Sequence, residues 1–288
     1  MKTAVCILNY NDATSAIKLA ERVRVFKNVD TVIIVDNASN DGSELVLSEY
    51  VKGIGEGSAK VLFKVNPRNG GYGYGNNSGV KLSEETGCDC TLIANPDTMF
   101  TEEVLDKLMA VFSDENVAVA GAVMEGKPLT DCAWPLLSYK EEAYFAGPVL
   151  KRVHKKTVLY PESLFDDLPQ KVGAVHGSLL LVRNEDFLKA GGFDEDFFLF
   201  CEEKVLGQKM SMIGKDVVLT DAVYSHAGSE TIKKAGLSAV GRQKERQKSE
   251  RLYMNKYLHA TKSQMFSFRI LQGIVLAETF FASVFRLI

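Results

Sequence analysis

Residues 31–41 read TVIIVDNASND, an apolar, β-branched run that ends abruptly in polar side chains. A short continuous apolar run of this kind predicts a strand of a parallel sheet, covered on both faces. Similar runs occur at Thr3–Leu8, Lys60–Val65, Thr91–Ala94 and Val117–Val123, and helix-like patterns lie between them at 13–26, 42–51, 77–86 and 101–112. This alternation is typical of βαβ units, so we predict an α/β fold around a mostly parallel sheet.

Polar residues follow four of these strands where each strand ends. They are Asn9-Tyr10-Asn11-Asp12, Asp36-Asn37-Ala38-Ser39, Asn69-Gly70-Gly71 and Asn95-Pro96-Asp97. Ligands of open parallel sheets bind beyond the carboxyl ends of the strands. We therefore expect residues 1–125 to form a nucleotide-binding half, with a binding site along this edge.

Composition narrows the classes of function. The chain has 288 residues and a formal net charge of −3, which argues against nucleic acid as a partner because phosphate neutralisation needs a basic face. Five cysteines are an odd number, and the N-terminal apolar run is too short for a signal peptide. We expect a cytoplasmic protein without a disulfide framework.

The C-terminal segment differs from the rest of the chain in charge. Residues 233–262 contain nine Lys and Arg residues and two acidic residues, and an apolar stretch follows at 270–285. That stretch is too short to span a bilayer, which takes about 20 residues. Two interpretations stay open, which are a peripheral contact with an anionic membrane and helices packed on the domain or on a second subunit.

Three further features carry candidate chemistry, each with an ordinary structural alternative. The glycine-rich residues 69–79 suit a backbone approach to phosphate, although a dinucleotide fingerprint would follow the first strand. Asp97, just past a strand, suits a divalent cation held against a diphosphate, or is part of a turn. Glu202 and Glu203 suit a general base with a raised pKa, or a solvated helix start; His226 is a metal ligand or a core histidine.

Together these motifs resemble a known family. NYN, VDNASNDGS, the glycine-rich segment, NPDT, GGFDEDFF with its acidic pair, and a strand-end histidine are similar, in order over residues 3–227, to family 2 glycosyltransferases. The closest branch is rhamnosyltransferase-like. The resemblance implies the GT-A fold, a Rossmann-like mostly parallel sheet with helices on both faces and C-terminal helices. It implies a catalytic domain at 1–230, with an acceptor half at 126–230, and helices at 231–288.

The resemblance also implies residue roles. The donor site would comprise Asn9, Tyr10, Asp36, Asn69, Gly71, Asn77 and Asn95, with Asp36 bonded to the base. Asp97 and His226 would hold a divalent metal, Mg²⁺ or Mn²⁺, and His176 and Gly177 would lie beneath the acceptor. Glu203 matches the catalytic base, which is usually an aspartate, and Glu202 is the second candidate. Val205 replaces a familiar acidic residue, and a processive-synthase signature does not occur after Gln208.

We therefore expect an inverting, metal-assisted transferase that adds one sugar. Its partners would be a dTDP- or UDP-sugar donor and a glycan or lipid-linked acceptor of cell-surface polysaccharide synthesis. Two alternatives are a nucleotide-sugar-binding protein without catalysis and a nucleotidyltransferase. The latter would carry a glycine-rich loop with a basic residue after the first strand, where this chain has Asn9-Tyr10-Asn11.

Overall fold

The structure is a computed structural model and describes residues 1–55, 59–227 and 238–284. The elements of the first 125 residues are β1 (Thr3–Asn9), α1 (Ala13–Val23), β2 (Thr31–Asp36), α2 (Ser43–Gly53), β3 (Lys60–Val65), α3 (Tyr72–Glu85), β4 (Cys90–Ala94), β5 (Thr98–Met99), α4 (Glu102–Ala110) and β6 (Val117–Met124). Those that follow are β7 (Ala133–Trp134), α5 (Tyr139–Phe145), α6 (Pro148–Val153), α7 (Lys155–Val158), β8 (Gln170–Val172), β9 (Ala174–Val175), β10 (Leu179–Arg183), α8 (Asn184–Lys189), α9 (Glu202–Met212), β11 (Asp216–His226), α10 (Ala239–Lys256) and α11 (Lys262–Val284).

A nine-stranded sheet forms the centre of the fold, in the order β3-β2-β1-β4-β10-β6-β11-β5, with β8 also paired to β11. Strands β1, β2, β3 and β4 are mutually parallel, and β10 runs against both β4 and β6. Strand β11 is parallel to β6, whereas β5 and β8 run against it. Most strands therefore share one direction, which confirms the predicted α/β architecture.

One core joins the two predicted halves of the catalytic domain. Strands β1, β2 and β4 are almost entirely buried, and the main apolar cluster runs from Val5 to Tyr224. The described residues of 1–125 and of 126–227 thus share one packed core. The predicted boundary at residue 230 lies outside the described residues.

Helices α10 and α11 pack against each other and against the domain. Gln247 and Gln272 exchange side-chain-to-backbone hydrogen bonds, Nε2 of Gln247 donating to the Gln272 carbonyl at 2.6 Å and Nε2 of Gln272 to the Gln247 carbonyl at 3.1 Å. Met254 and Phe268 form a second buried contact. Across residues 1–55, 59–227 and 238–284, no helix combines the length and apolarity needed to cross a membrane.

Beyond residue 125, the sequence pattern predicts an irregular stretch at 125–171, one strand at 172–182 and two strands at 217–220 and 223–226. The structure differs from each of these three predictions. The predicted strand Val172–Val182 is broken, because Ala174–Val175 pairs with β7 while β10 pairs with β4 and β6. The two strands predicted at 217–220 and 223–226 form the single β11, with a register shift between Leu219 and Val223. The stretch 125–171, predicted as irregular, contains α5, α6 and α7, whose four to seven residues are too few to show a helical period.

Helix α3 begins at Tyr72, five residues before the predicted start at Asn77. Its glycines lie inside the helix and permit close packing on β1. A Cβ at Gly75 would lie 2.3 Å from Cδ1 of Leu8, and one at Gly79 would lie 2.1 Å from Sγ of Cys6. Gly75 and Gly79 therefore permit a close helix–sheet contact, and a phosphate-binding role of the glycine-rich segment stays a prediction.

Candidate active site

The sheet brings most of the predicted site residues to one edge. Asn9 and Asp36 are register partners at the ends of β1 and β2, and Asn95 directly follows β4. Strand β10 runs the other way, with Leu179 opposite Ala94, so residues 176–178 join the same edge from the opposite direction. His226 ends β11, and Thr98 of β5 pairs with it.

The loops after β1 and β2 are tied together through Asp36. Its Oδ1 accepts a hydrogen bond from Nδ2 of Asn9 at 2.8 Å and from Oγ of Ser39 at 2.6 Å, while its Oδ2 accepts from the Ser39 backbone N–H at 2.9 Å. Asp36 and Asn9 both have 0% exposed surface. These side chains fix the two loops, and the bond from Asp36 to the base stays a prediction. The half-buried Tyr10 lies at the same edge.

The same loops hold two backbone positions that are uncommon outside glycine. Asn11 has φ 56° and Ala38 has φ 58°. Residues with a Cβ rarely adopt this left-handed region, and those that do gather at functional sites. The Asn11 N–H donates to Oγ of Ser39 at 2.9 Å, so Ser39 locks both loops. Sequence reasoning missed Ser39, although it lies within the quoted VDNASNDGS motif.

Asn69 and Gly71 shape the entry to α3. Asn69 Oδ1 accepts from the Gly71 N–H and from Nδ2 of Asn37, each at 3.0 Å. Gly71 has φ 91°, and a Cβ there would lie 2.2 Å from the Phe198 carbonyl oxygen. Only glycine fits this approach, which joins the start of α3 to the GGFDEDFF segment.

The Asn77 side chain bonds to the GGFDEDFF segment. Its Nδ2 donates to the Phe193 carbonyl at 2.9 Å and its Oδ1 accepts from the Phe193 N–H at 2.8 Å. Nδ2 also lies 3.0 Å from Oε1 of Glu195. Both ends of the amide thus hold the GGFDEDFF segment, and donor binding by Asn77 stays a prediction.

Asp97 and His226 meet as the motif order implied. Oδ1 of Asp97 lies 3.0 Å from Nε2 of His226, and the two side chains are 8% and 12% exposed. Two ligands at about 2.1 Å from one octahedral cation, in adjacent positions, would stand about 3 Å apart. The pair therefore fits a shared divalent cation, and the imidazole favours Mn²⁺ over the oxygen-preferring Mg²⁺.

Such a cation would need ligands besides this pair. Among residues 1–55, 59–227 and 238–284 there is no group of three or more His, Cys, Asp and Glu side chains that suits a metal ion. Divalent cations at phosphate-transfer sites often take one or two protein ligands and fill the remaining positions with phosphate oxygens and water. The geometry therefore suits a metal whose remaining ligands are diphosphate oxygens and water.

His176 connects the Asp97–His226 pair with the interior. Its Nδ1 accepts from the Ser178 N–H at 3.1 Å, and Ser178 Oγ lies 2.5 Å from the Tyr224 hydroxyl. Its ring lies 6.1 Å from that of His226 and 5.9 Å from that of Trp134. Burial lowers the pKa of His176, although the charge of Glu203 opposes this, so the ring is neutral at pH 7.

The two candidate bases lie in different surroundings at the start of α9. Glu203 Oε1 accepts from the Gly177 N–H at 3.3 Å, and the side chain borders an apolar cavity beside Phe193 and Leu206. Glu202 is 4% exposed, and its Oε1 is buried without a hydrogen-bond partner. Burial, and next the charge of Glu203, raise the pKa of Glu202 well above its ordinary range. This environment favours the uncharged acid of Glu202, so Glu203, which accepts from the Gly177 N–H, is the better candidate for the base.

Two aromatic side chains near Gly177 were missed by sequence reasoning. The Tyr72 hydroxyl donates to the Gly177 carbonyl, and burial raises the pKa of Tyr72 well above its ordinary range. Trp134 is half-buried on β7, opposite Ala174. Trp134 stands beside Pro135 in a stretch without periodicity, and only the β7–β9 pairing places it against the site.

The chain is similar in sequence to a known family and to two named proteins. The family model for glycosyl transferase family 2 matches residues 4–187. The rhamnosyltransferase WbbL of Escherichia coli (strain K12) is 28% identical over 154 residues, 50% of this chain and 55% of that protein. The N-acetylglucosaminyl-diphospho-decaprenol L-rhamnosyltransferase of Mycobacterium tuberculosis (strain CDC 1551 / Oshkosh) is 26% identical over 199 residues, 64% of this chain and 62% of that protein. The chain thus spans less than two thirds of these relatives.

Solved structures share the fold at low identity. A mannosyltransferase from Pyrobaculum calidifontis, in complex with GDP-Man and Mn²⁺, superposes with a TM-score of 0.61 and 13% identity, covering 98% of this chain and 74% of that one. GalNAc-T7 with UDP, GalNAc and Mn²⁺ gives a TM-score of 0.58 and 16% identity, covering 78% of this chain and 44% of that one. The expected GT-A fold is confirmed.

Proposed function

The chain belongs to glycosyl transferase family 2, and from this premise we propose that it moves one sugar from a nucleoside-diphosphate donor to an acceptor hydroxyl. The observation that carries the proposal is the meeting of two groups at one edge of the sheet. Glu203 bonds the Gly177 backbone, and the neighbouring His176 ring lies against His226 of the Asp97–His226 pair. A base and an anion-stabilising site are thereby joined through the consecutive residues His176 and Gly177.

The proposed reaction is a single displacement. The acceptor oxygen forms a bond to the anomeric carbon while the bond from that carbon to the diphosphate oxygen breaks. The acceptor proton passes to the Glu203 carboxylate, and the nucleoside diphosphate leaves with the bonding electron pair. Attack on the face opposite the leaving group inverts the anomeric centre.

Residues of this chain would hold the metal, the donor and the acceptor. Asp97 and His226 would hold a divalent metal, which when bound supplies positive charge against the departing diphosphate. Asn9, Asp36 and Ser39 fix the loops beside which the nucleoside would lie, with Tyr10 and Asn95 the residues at that edge. The neutral His176 and the half-buried Trp134 form the floor on the acceptor side.

The names of the relatives support a choice of donor and acceptor. Both carry rhamnosyl transfer in their names, and one acts on a diphospho-decaprenol acceptor. We propose a dTDP- or UDP-linked sugar as donor and a glycan, lipid-linked in the simplest case, as acceptor. A nucleotide-sugar-binding protein without catalysis and a nucleotidyltransferase remain as the outcomes that the test must separate.

The test begins with binding and continues to turnover. Thermal unfolding is followed with UDP, dTDP, GDP and CMP, each with and without Mn²⁺, because a ligand that binds the native state raises the apparent stability. A metal-dependent shift with one diphosphate supports the proposal and identifies the base. Release of that diphosphate from the matching sugar nucleotide then separates an enzyme from an inactive binding protein, and no shift with any nucleotide contradicts the proposal.

We further propose that α11 rests on an anionic membrane surface. Phe268 and Val275 face the domain, whereas Phe266, Ile270, Ile274, Phe280, Phe281 and Val284, on the opposite side of the helix, are all more than half exposed. Residues 239–284 contain eight Lys and Arg residues and three acidic residues. This basic character suits anionic lipid better than a second, equally basic copy of the helix pair. Residues 233–237 and 285–288 of the predicted contact lie outside the described residues.

Vesicle binding tests this surface. The double variant Ile270→Asn/Phe281→Asn should lose co-sedimentation with phosphatidylglycerol vesicles, because the apolar anchor is removed. Val25→Asn, which changes an apolar side chain that is 63% exposed and lies elsewhere, is the control and should bind as wild type does. A concentration-dependent dimer that the double variant abolishes, without vesicle binding by wild type, would assign the face to a second copy.

A further inference from the structure

One face of α10 contacts the GGFDEDFF segment and the residues after it, in order. The contacting side chains recur at helical spacings of three or four residues, so they share one face. The Arg246 guanidinium lies 5.0 Å from the centre of the Phe200 ring, and Oγ of Ser249 donates to the Leu199 carbonyl at 2.6 Å. Tyr253 packs on Phe197. One turn further along, Nζ of Lys256 lies 2.6 Å from Oδ2 of Asp194 and 2.7 Å from Oδ2 of Asp196.

The segment held in this way ends in an unfavourable turn. Phe200 has φ 72° and Cys201 has φ 71°, two consecutive non-glycine residues in the left-handed region. This region is disfavoured for residues with a Cβ and persists where the surroundings impose it. Glu202 and Glu203 follow directly as the first residues of α9. The direction of the first turn of α9 therefore depends on this pair of residues.

The turn is held from two sides. On one side, the Tyr72 N–H of α3 donates to the Phe198 carbonyl at 3.1 Å. On the other side, Ser249 holds the next carbonyl, that of Leu199, and Arg246 covers Phe200. Ser249 is 5% exposed, so water does not readily replace its hydroxyl.

We propose that Ser249 and Arg246 of α10 are positioning residues for Glu203, so that the C-terminal helices belong to the catalytic machinery. This inference rests on the proposed function, in which Glu203 is the base. Loss of the Ser249 contact lets the turn relax and moves the first turn of α9. The remainder of α9 stays anchored by the buried Val205, Leu206 and Met210, so the helix itself persists.

The test compares Ser249→Ala and Arg246→Ala with Asn255→Ala, which truncates an exposed side chain of the same helix. Release of nucleoside diphosphate from dTDP-rhamnose and UDP-glucose is measured with Mn²⁺. Misplacement by about 1 Å can cost about 100-fold in rate, so kcat should fall roughly 10- to 100-fold. KM for the donor and the thermal shift by nucleotide should stay as in wild type, since the donor edge is built from β1 and β2. Ser249→Thr, which keeps the hydroxyl, should restore turnover.

Glu203→Gln, assayed in parallel, separates the positioning role of Ser249 and Arg246 from the assignment of Glu203 as the base. If Glu203→Gln loses turnover while Ser249→Ala and Arg246→Ala keep it, the positioning role is overturned and the base assignment stands. If Glu203→Gln itself turns over normally, the base assignment falls and the positioning role falls with it. Equal losses in kcat and in nucleotide binding would show a general structural effect and would also overturn the inference. Should Ser249→Ala fail to fold, Arg246→Ala carries the comparison.

Discussion

Nε2 of His226 lies 3.0 Å from Oδ1 of Asp97, although 129 positions separate the two residues in the chain. The contact arises because β5, a two-residue strand directly after Asp97, pairs with the end of β11. The antiparallel pairing of β5 with β11 at the sheet edge thus places the Asp97 carboxylate and the His226 imidazole within reach of the same cation.

Asp97→Asn should abolish metal-dependent nucleotide binding. The amide is nearly isosteric with the carboxylate but lacks its charge, so a divalent cation loses its anionic protein ligand. We expect the stabilisation by UDP or dTDP with Mn²⁺ to disappear while unfolding without ligand stays within a few degrees. Asp106→Asn, at an exposed position on α4, is the control. Wild-type Mn²⁺ dependence in Asp97→Asn would contradict the metal assignment.

Glu203→Gln and Glu202→Gln should behave oppositely. Glu203→Gln removes the proton acceptor, and loss of a general base costs about 10²- to 10⁴-fold in kcat. Burial raises the pKa of Glu202 and so favours its uncharged acid, and an uncharged amide should therefore replace it with little change in turnover. Turnover of each variant on one donor gives the answer. A large loss in Glu202→Gln with normal turnover in Glu203→Gln would reverse the roles.

The positions of the strands were predictable from sequence because a buried strand consists of consecutive apolar residues. The five strands predicted in the first 125 residues are all present, since each is an apolar run between polar turns, whereas the two-residue β5 was not predicted. The family resemblance implied that Asp97 and His226 hold one metal, and the structure brings the two side chains together. The broken segment at 172–182 was not predictable, because both of its pieces are apolar and the change of partner from β7 to β4 leaves no mark in the sequence.

The roles of polar side chains were harder to predict than their location. Asp36 and Asn77 lie where the motifs place them, yet both are occupied by protein partners. Residue type and spacing indicate that a side chain is near the edge of the sheet. They do not indicate whether it points to a ligand or to another loop, because that depends on contacts such as Ser39 to Asp36 that are set by the tertiary fold.

Gly79→Ala and Gly53→Ala should shift stability in opposite directions. A Cβ at Gly79 would meet Sγ of the buried Cys6 at 2.1 Å, and overpacking of this kind costs about 1–3 kcal/mol. Gly53 ends α2 with open space around it, so alanine there should stabilise by about 0.4–1 kcal/mol. Urea unfolding of both variants measures the difference. Loss of nucleotide binding without loss of stability in Gly79→Ala would instead support a phosphate-binding role for this glycine.

Glu250 should make the protein less stable as the pH rises from about 4.5 to 7. Burial raises the pKa of Glu250 to about 7, although the Gln272 amide, which donates to its Oε2 at 2.9 Å, opposes the shift. Between the unfolded and folded pKa values, the folded state binds the proton and the unfolded state does not, so unfolding becomes easier as pH rises. One pKa unit corresponds to about 1.4 kcal/mol, which sets an upper bound of about 3 kcal/mol. Glu250→Gln should match wild type at pH 4.5 and exceed it by up to that amount at pH 8 in urea unfolding, because its neutral amide does not titrate. Parallel stability curves for the two proteins would show that Glu250 titrates alike in both states.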